Sequence, residues 1–176
     1  YGFAADPARA PHARWSGVIR DSLRRSSNRI AAAGLFEPTL ADRLERLVAK
    51  NIEAVERIPA TPFLHDTTTK NVIVMPDGTF TGIVDVDDIC FGDPRFAPAL
   101  TQASLMVSGG PTRYVASWLA RAGQPDDALF RLYVALFLLD FMSEHGQVFN
   151  GNQRPSSPEA RARLRHLLPP GTILCL

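Results

Sequence analysis

Apolar residues recur at three- and four-residue spacing along most of the chain. From about Arg14 to Ala33, the residues Trp15, Val18, Ile19, Leu23 and Ile30 fall on one stripe and predict an amphipathic helix. Gly34 is placed to end it. Leu40, Leu44, Leu47, Val48, Ile52 and Val55 form a second stripe, read as one helix from Thr39 to about Arg57. Thr39 followed by Asp42 resembles a capping box at its start, and Pro59 and Pro62 end it. Asp93-Pro94 reads as N-cap and first turn of a helix to about Val107, which Gly109-Gly110 break. Pro111 opens another, to about Ala122. Residues 126 to 145 are apolar nearly all round, which predicts a central helix. A polar loop over 147–156 precedes a last helix from Ser157-Pro158 to Leu168.

In the middle the period changes. Val72 to Met75 and Thr79 to Val84 are β-branched and apolar, and Pro76-Asp77-Gly78 between them is a turn. The pattern predicts a short hairpin with Met75 facing Thr79 and Asn71 facing Ile83. Both strands are apolar on both faces, so the hairpin is expected to be buried under helices. The fold class is therefore mainly α with one short buried β-hairpin, a single domain over 13–176. Residues 1–12, with two prolines and little periodicity, read as a linker or docking strand.

Composition changes this picture little. The chain has 176 residues, 45% apolar and 21% charged, with net charge +1, so nothing in the balance calls for a nucleic-acid partner. The two cysteines, Cys90 and Cys175, form neither a metal nor a disulfide pattern, and a reducing cytoplasm is the expected location. No apolar run reaches the roughly 20 residues of a membrane helix.

The candidate chemistry lies at the hairpin. Phe63 to Asp88 is an apolar segment, yet it holds Asp66, Asp85, Asp87 and Asp88. Carboxylates near apolar surface lose hydration and repel one another, so a cation is expected among them. Folding the hairpin in the register above puts Asp85 opposite Thr69, one step past its open end, with facing Cα atoms roughly 4.5–5.5 Å apart. Asp66, Asn71 and Asp85 then gather there. Oxygen ligands of this kind suit Mg²⁺, which completes its shell with phosphates and water.

The motifs "HDTTTKN", His65 to Asn71, and "GIVDVDDICFGDP", Gly82 to Pro94, resemble the aminoglycoside phosphotransferase family, small-molecule kinases of the protein-kinase-like fold. The resemblance covers Phe63 to about Leu105. It implies the C-terminal helical lobe of that fold, with the nucleotide-covering lobe placed before Tyr1. It also implies an ATP- and Mg²⁺-dependent transfer of phosphate to a hydroxyl of a small molecule. Asp66 would be the catalytic base, Asn71 and Asp85 the metal ligands, and Asp93 a structural cap bracing the catalytic loop. Leu64 stands where the family usually has His, and no G-x-G-x-x-G occurs among the 12 glycines.

Other residues carry paired readings. Lys70 either contacts a phosphate of the nucleotide or neutralises its acidic neighbours. Asp87 and Asp88 are each an N-cap or a surface charge, or one of them adds negative charge near the metal or binds a cationic substrate. Asp140 and Glu144, four apart on the long helix, either face a substrate cleft or serve an arginine pairing or the helix end. Thr67, Thr68 and Thr69 are expected to satisfy loop backbone groups. His65 is expected to be a packed loop residue. His12, His145 and His166 are expected at the surface, as are Arg161, Arg163 and Arg165. A chain without its nucleotide lobe is expected to expose apolar surface and to self-associate. The alternative function is a non-catalytic remnant of a kinase-like lobe that binds a ligand or a protein.

Overall fold

The structure, a computed structural model, describes residues 1–149, 152–153 and 156–168. Seven α-helices and seven short strands follow one another along them: β1 (Gly2–Phe3), α1 (Trp15–Ala33), α2 (Thr39–Lys50), α3 (Ile52–Glu56), β2 (Thr61–Leu64), β3 (Val72–Val74), β4 (Phe80–Ile83), β5 (Ile89–Gly92), α4 (Phe96–Ser108), α5 (Arg113–Arg121), α6 (Ala128–Ser143), β6 (Val148–Phe149), β7 (Asn152–Gln153) and α7 (Pro158–Leu167). Helix α6 is the axis, packed chiefly against α4 and α1. Leu132, Tyr133, Leu138, Leu139 and Met142 are fully buried along it, the result expected of a helix without a polar face.

Helix ends follow local chemistry. Gly34 and Gly109 close α1 and α4 in the left-handed region, at φ 63° and 75°. Asp127 and Ser157 cap α6 and α7 by accepting the N–H groups of Phe130 and Ala160. Thr39 caps nothing, because the helical turn is already entered at Pro38 and the expected capping box does not form. The stripe over 39–57 is two helices, broken at Asn51, whose side chain donates to Leu47 O at 2.9 Å. Helix α4 starts at Phe96, after a turn in which Asp93 accepts the Arg95 N–H at 3.0 Å.

Strands β2 and β5, which periodicity did not single out, form a sheet in the order β1-β5-β2, all antiparallel. Residues 2–3 are thus a docked strand. Trp15 packs against this sheet, and a Cβ on Gly92 would meet its ring at 2.2 Å, so only glycine permits that approach. Cys90 is buried beside it; burial pushes its thiol up to about 12, so it is no nucleophile. Cys175 lies outside the described residues.

The hairpin forms, but not as expected. Asp77 accepts the Thr79 N–H at 2.9 Å, and Met75 N–H donates to Thr79 O at 2.9 Å, as the turn chemistry requires. Val74 faces Phe80, in the expected register, but Ile73 faces Gly82, so Thr81 is an extra residue in a β-bulge. From the bulge to the open end every pairing is displaced by one: Val72 faces Ile83, and the Val84 N–H donates to Asn71 O at 2.9 Å. Nor is the hairpin buried under helices. Ile73, Val74, Met75, Phe80 and Ile83 are exposed, Phe80 to 61%. The apolar pattern records that the ribbon suits an apolar neighbour; among the described residues no helix packs extensively on it.

Candidate functional site

Strand β2 delivers the chain to the loop 65–71 between the sheet and the hairpin. Its first residue is anchored by the His65 N–H, which donates to Asp88 O at 3.0 Å, and its last by a 3-10 turn over Thr69–Asn71. Asp66 is half-buried. The Thr68 hydroxyl donates to one of its carboxylate oxygens and Lys70 Nζ lies against the other, each at 2.8 Å. Burial works against the charge on Asp66, but Lys70 and Thr68 outweigh it and hold its pKa below the ordinary carboxylate value. The carboxylate is therefore ionised at neutral pH. Thr68 was expected to serve the backbone; instead its hydroxyl fixes this side chain. A hydroxyl two residues from an acid was the available sequence signal.

Asn71 is 6% exposed, and its Nδ2 donates to the Asp66 carbonyl at 2.8 Å. A carbonyl acceptor dictates which end of the amide faces it, so Oδ1 is the end left to accept from or ligate another group. The bulge places Asp85 level with Lys70 rather than Thr69, through the Val84–Asn71 hydrogen bond. Asp85 has φ 60°, unusual for a residue with a Cβ and a feature that concentrates at functional sites. One hydrogen bond joins Asn71 to the Asp66 residue, and one backbone pairing joins it to the residue before Asp85. Among the described residues no three His, Cys, Asp or Glu side chains converge on a metal position. The donor set at the hairpin mouth is a carboxylate, an amide oxygen and the neighbouring Asp66. All are oxygens, which fits a hard cation that keeps non-protein ligands better than a closed protein cage.

Asp87 is exposed on the turn before β5. Asp140 faces α1: it accepts from the Ser26 hydroxyl at 2.8 Å and lies 3.5 Å from an Arg25 guanidinium nitrogen. Glu144 follows the last turn of α6, its N–H bonded to Asp140 O. The structure thus brings Asp66, Lys70, Asn71 and Asp85 to one loop and hairpin mouth, and sets Asp140 on the neighbouring helix. A groove of about 470 Å³ lies elsewhere, between α1 and α2, lined by Arg20, Leu23, Arg24 and Val48 among others.

His65 is packed, as expected. It stacks on Phe96 at 5.4 Å and lies 5.6 Å from Phe137, with Phe3 edge-on at 5.0 Å. Its Nδ1 is buried without a hydrogen-bond partner. Burial lowers its pKa to about 4 against the opposing pull of Asp66 and Asp140. His145, expected at the surface, is buried against Phe36 and bonded to Ser156. Nor is the α7 arginine face simply solvated: Arg165 donates to Leu35 O at 2.8 Å and covers the Phe36 ring. Long arginine stems close the gap between helices that charge alone would assign to water.

Asp93 caps its turn but is held by different partners from those expected. It receives the Arg95 guanidinium at 2.7 Å and the Tyr133 hydroxyl at 3.0 Å. Tyr133 in turn accepts from Trp15 Nε1 at 2.9 Å, and Arg95 reaches on to Asp127 at 2.9 Å. Burial opposes the Arg95 charge, yet the two carboxylates raise its pKa; burial, then Asp93, raises that of Tyr133. This chain joins α1, the start of α4 and the start of α6. Sequence spacing gave no signal for it, because its members are up to 118 residues apart.

No protein-family model and no curated protein matches the sequence. Among solved structures, the chain is similar to a thermostable mutant of the aminoglycoside phosphotransferase APH(4)-Ia in its apo form, with a TM-score of 0.51 and 15% identity. The match covers 90% of this chain and 53% of that one, so the chain spans about half the length of the protein it resembles. At this identity the likeness is one of fold: the described residues share the architecture of part of an aminoglycoside phosphotransferase.

Proposed function

We propose that the chain is the helical lobe of an ATP-dependent phosphotransferase acting on a hydroxyl of a small molecule. One observation carries the reading: the ionised, doubly hydrogen-bonded Asp66 joined through its own carbonyl to Asn71, at the mouth of a hairpin whose other strand ends in Asp85. The fold likeness to a phosphotransferase supports it independently. Asp66 orients the acceptor hydroxyl and accepts its proton. Asn71 Oδ1 and the Asp85 carboxylate are the residues that would hold Mg²⁺, which when bound neutralises phosphate charge and aligns the transferred group. Lys70, 68% exposed at its side chain, is free to leave Asp66 for a nucleotide phosphate. Asp87, Asp140 and Glu144 supply negative charge on the acceptor side, with Asp140 positioned by α1.

The test is a phosphorylation screen of hydroxyl compounds with this lobe joined to a nucleotide-binding lobe, comparing wild type with Asp66→Ala. Turnover of at least one compound is expected, falling about 10³-fold in the variant. Turnover that survives Asp66→Ala would remove the base from the mechanism and the reading with it.

The exposed hairpin belongs to the same proposal, as a surface that another body covers. The 176-residue chain alone is expected to associate as its concentration rises. Ile73→Thr with Phe80→Lys should return it to a monomer in sedimentation velocity. Its melting temperature should stay nearly constant, because exposed substitutions cost within about 0.5 kcal/mol. A wild-type chain that stays monomeric throughout would contradict this.

A further inference from the structure

The geometry points to Phe3 as a positioning residue for Asp66: strand β1 straps residues 1–12 onto the sheet, and through the Phe3 ring it holds His65 and so the start of the 65–71 loop. The strap is a built element. Gly2 and Phe3 pair with Phe91 and Cys90 of β5, and the Ala4 N–H donates to Ile89 O at 3.2 Å. The segment then turns back through a short 3-10 turn over Pro7–Arg9, which Asp6 caps by accepting the Ala8 N–H at 2.9 Å. It closes where the His12 N–H donates to Tyr1 O at 3.0 Å, and the Tyr1 hydroxyl ties the closure to Ile58 O at 2.8 Å. Gly2 makes the closure possible: its φ is 108°, and a Cβ there would meet the Pro11 ring at 3.2 Å.

What the strap delivers is one ring. Phe3 makes a T-shaped contact with His65 at 5.0 Å, closer than Phe96 at 5.4 Å, Phe137 at 5.6 Å or Phe63 at 6.5 Å. Phe96 and Phe137 belong to the core, 3% and 6% exposed, and Phe63 lies two residues back on the same strand. Phe3 is 45% exposed, so of the four rings it is the one held from outside the core, by a strand of two residues. His65 depends on such contacts. Its Nδ1 is buried without a hydrogen-bond partner, its N–H reaches Asp88 O, and its carbonyl accepts only from Thr67 within the loop, at 3.1 Å. A side chain with no polar anchor is fixed by packing, to which a single aromatic pair contributes on the scale of a tenfold factor. Asp66 comes next in the chain. Its own partners, Thr68, Lys70 and Asn71, all lie within the loop, so they shape the loop without fixing it to the core; His65 does that. That Asp66 is the base rests on the function proposed above; the coupling of strap to loop does not.

The test is hydrogen exchange in the 176-residue chain. The Ala4 amide reports the strap, those of His65 and Asn71 the two ends of the loop, and those of Leu138 and Leu139 the core. Two variants undo the strap in different ways: Phe3→Ala removes the ring, and Gly2→Val keeps it but cannot take up the closed backbone. Each is expected to lower loop protection about tenfold while the α6 amides hold. Phe3→Tyr, which puts a ring back in the same place, should keep the wild-type loop protection. Unchanged loop protection in Phe3→Ala overturns the proposal, as does unchanged protection in a Gly2→Val chain whose Ala4 amide has lost its own. A loss in Phe3→Tyr as large as in Phe3→Ala would show that the ring is not the agent, and an equal loss in α6 would make the effect global; either outcome overturns it. Should the variants not fold, the wild-type chain in rising sub-denaturing urea decides. Ala4 and the loop amides must open together and before Leu138, and a loop that stays protected once Ala4 has opened overturns the proposal. Because none of these readouts involves phosphate transfer, a failed strap and a failed kinase reading are separately visible.

Discussion

Asp93→Ala is expected to destabilise the chain by about 3 kcal/mol. Asp93 and Arg95 are 3% and 7% exposed, and removing the carboxylate leaves a guanidinium whose Nε and Nη2 have lost their acceptor inside the protein. Arg95 keeps its bond to Asp127, which is 44% exposed at its side chain, so the cost falls at the low end for a broken buried pair. The Tyr133 hydroxyl also loses its acceptor. For a chain of this length the change corresponds to roughly 6–12 °C in melting temperature by calorimetry. Asp93→Ala with Arg95→Met should recover about half of the loss, because an apolar side chain leaves no buried charge behind. If the double variant is no more stable than the single one, the penalty is not that of an orphaned charge.

Trp15→Ala is expected to cost about 4 kcal/mol, the largest single-residue effect in the molecule. The indole is 1% exposed and makes T-shaped contacts with Phe96 at 5.1 Å, Tyr133 at 6.3 Å and Phe63 at 6.4 Å, with Gly92 against its six-membered ring. Truncation opens a cavity at the junction of α1, β5, α4 and α6, where rigid rings and a glycine strand cannot collapse inward. Trp15→Phe keeps a ring but removes the Nε1 donor to Tyr133. That hydroxyl still donates to Asp93, so the loss should be nearer 2 kcal/mol. Urea midpoints at unchanged slope are the measure. A Trp15→Ala loss below that of Trp15→Phe would mean that the indole is not the keystone of the junction.

How much was legible in the sequence divides along range. Elements that bury a stripe against whatever lies opposite, such as α1 and α6, were readable, because the helical period is written into the spacing of apolar side chains. Gly34, Gly109, Asp127 and Ser157 end or cap helices by contacts within four residues, so chain order alone carries them. Strands of two to four residues such as β1, β2 and β5 were not readable. Each is too short for a period of two to stand out, and each exists because its partner comes from 25 to 89 residues away.

The sequence by itself determined that Asp66, Asn71 and Asp85 belong to one region, because a hairpin closed by Pro76-Asp77-Gly78 leaves their segments nowhere else to go. It also determined that the ribbon's residues favour an apolar neighbour. Tertiary structure alone decided the rest. The bulge at Thr81 moved Asp85 by one position, an adjustment of twist that composition does not encode. The exposure of the ribbon is a tertiary outcome too: its apolarity did not bring a helix over it, and Ile73, Val74, Met75, Phe80 and Ile83 stay exposed. The partners of His65, Asp93 and Asp140 are rings, hydroxyls and a guanidinium on distant elements, and only the packing of α1, α4 and α6 brings them within reach. Short-range order follows from periodicity and turn chemistry. The electrostatic character of a buried group follows from its neighbours, and a linear sequence does not say who they are.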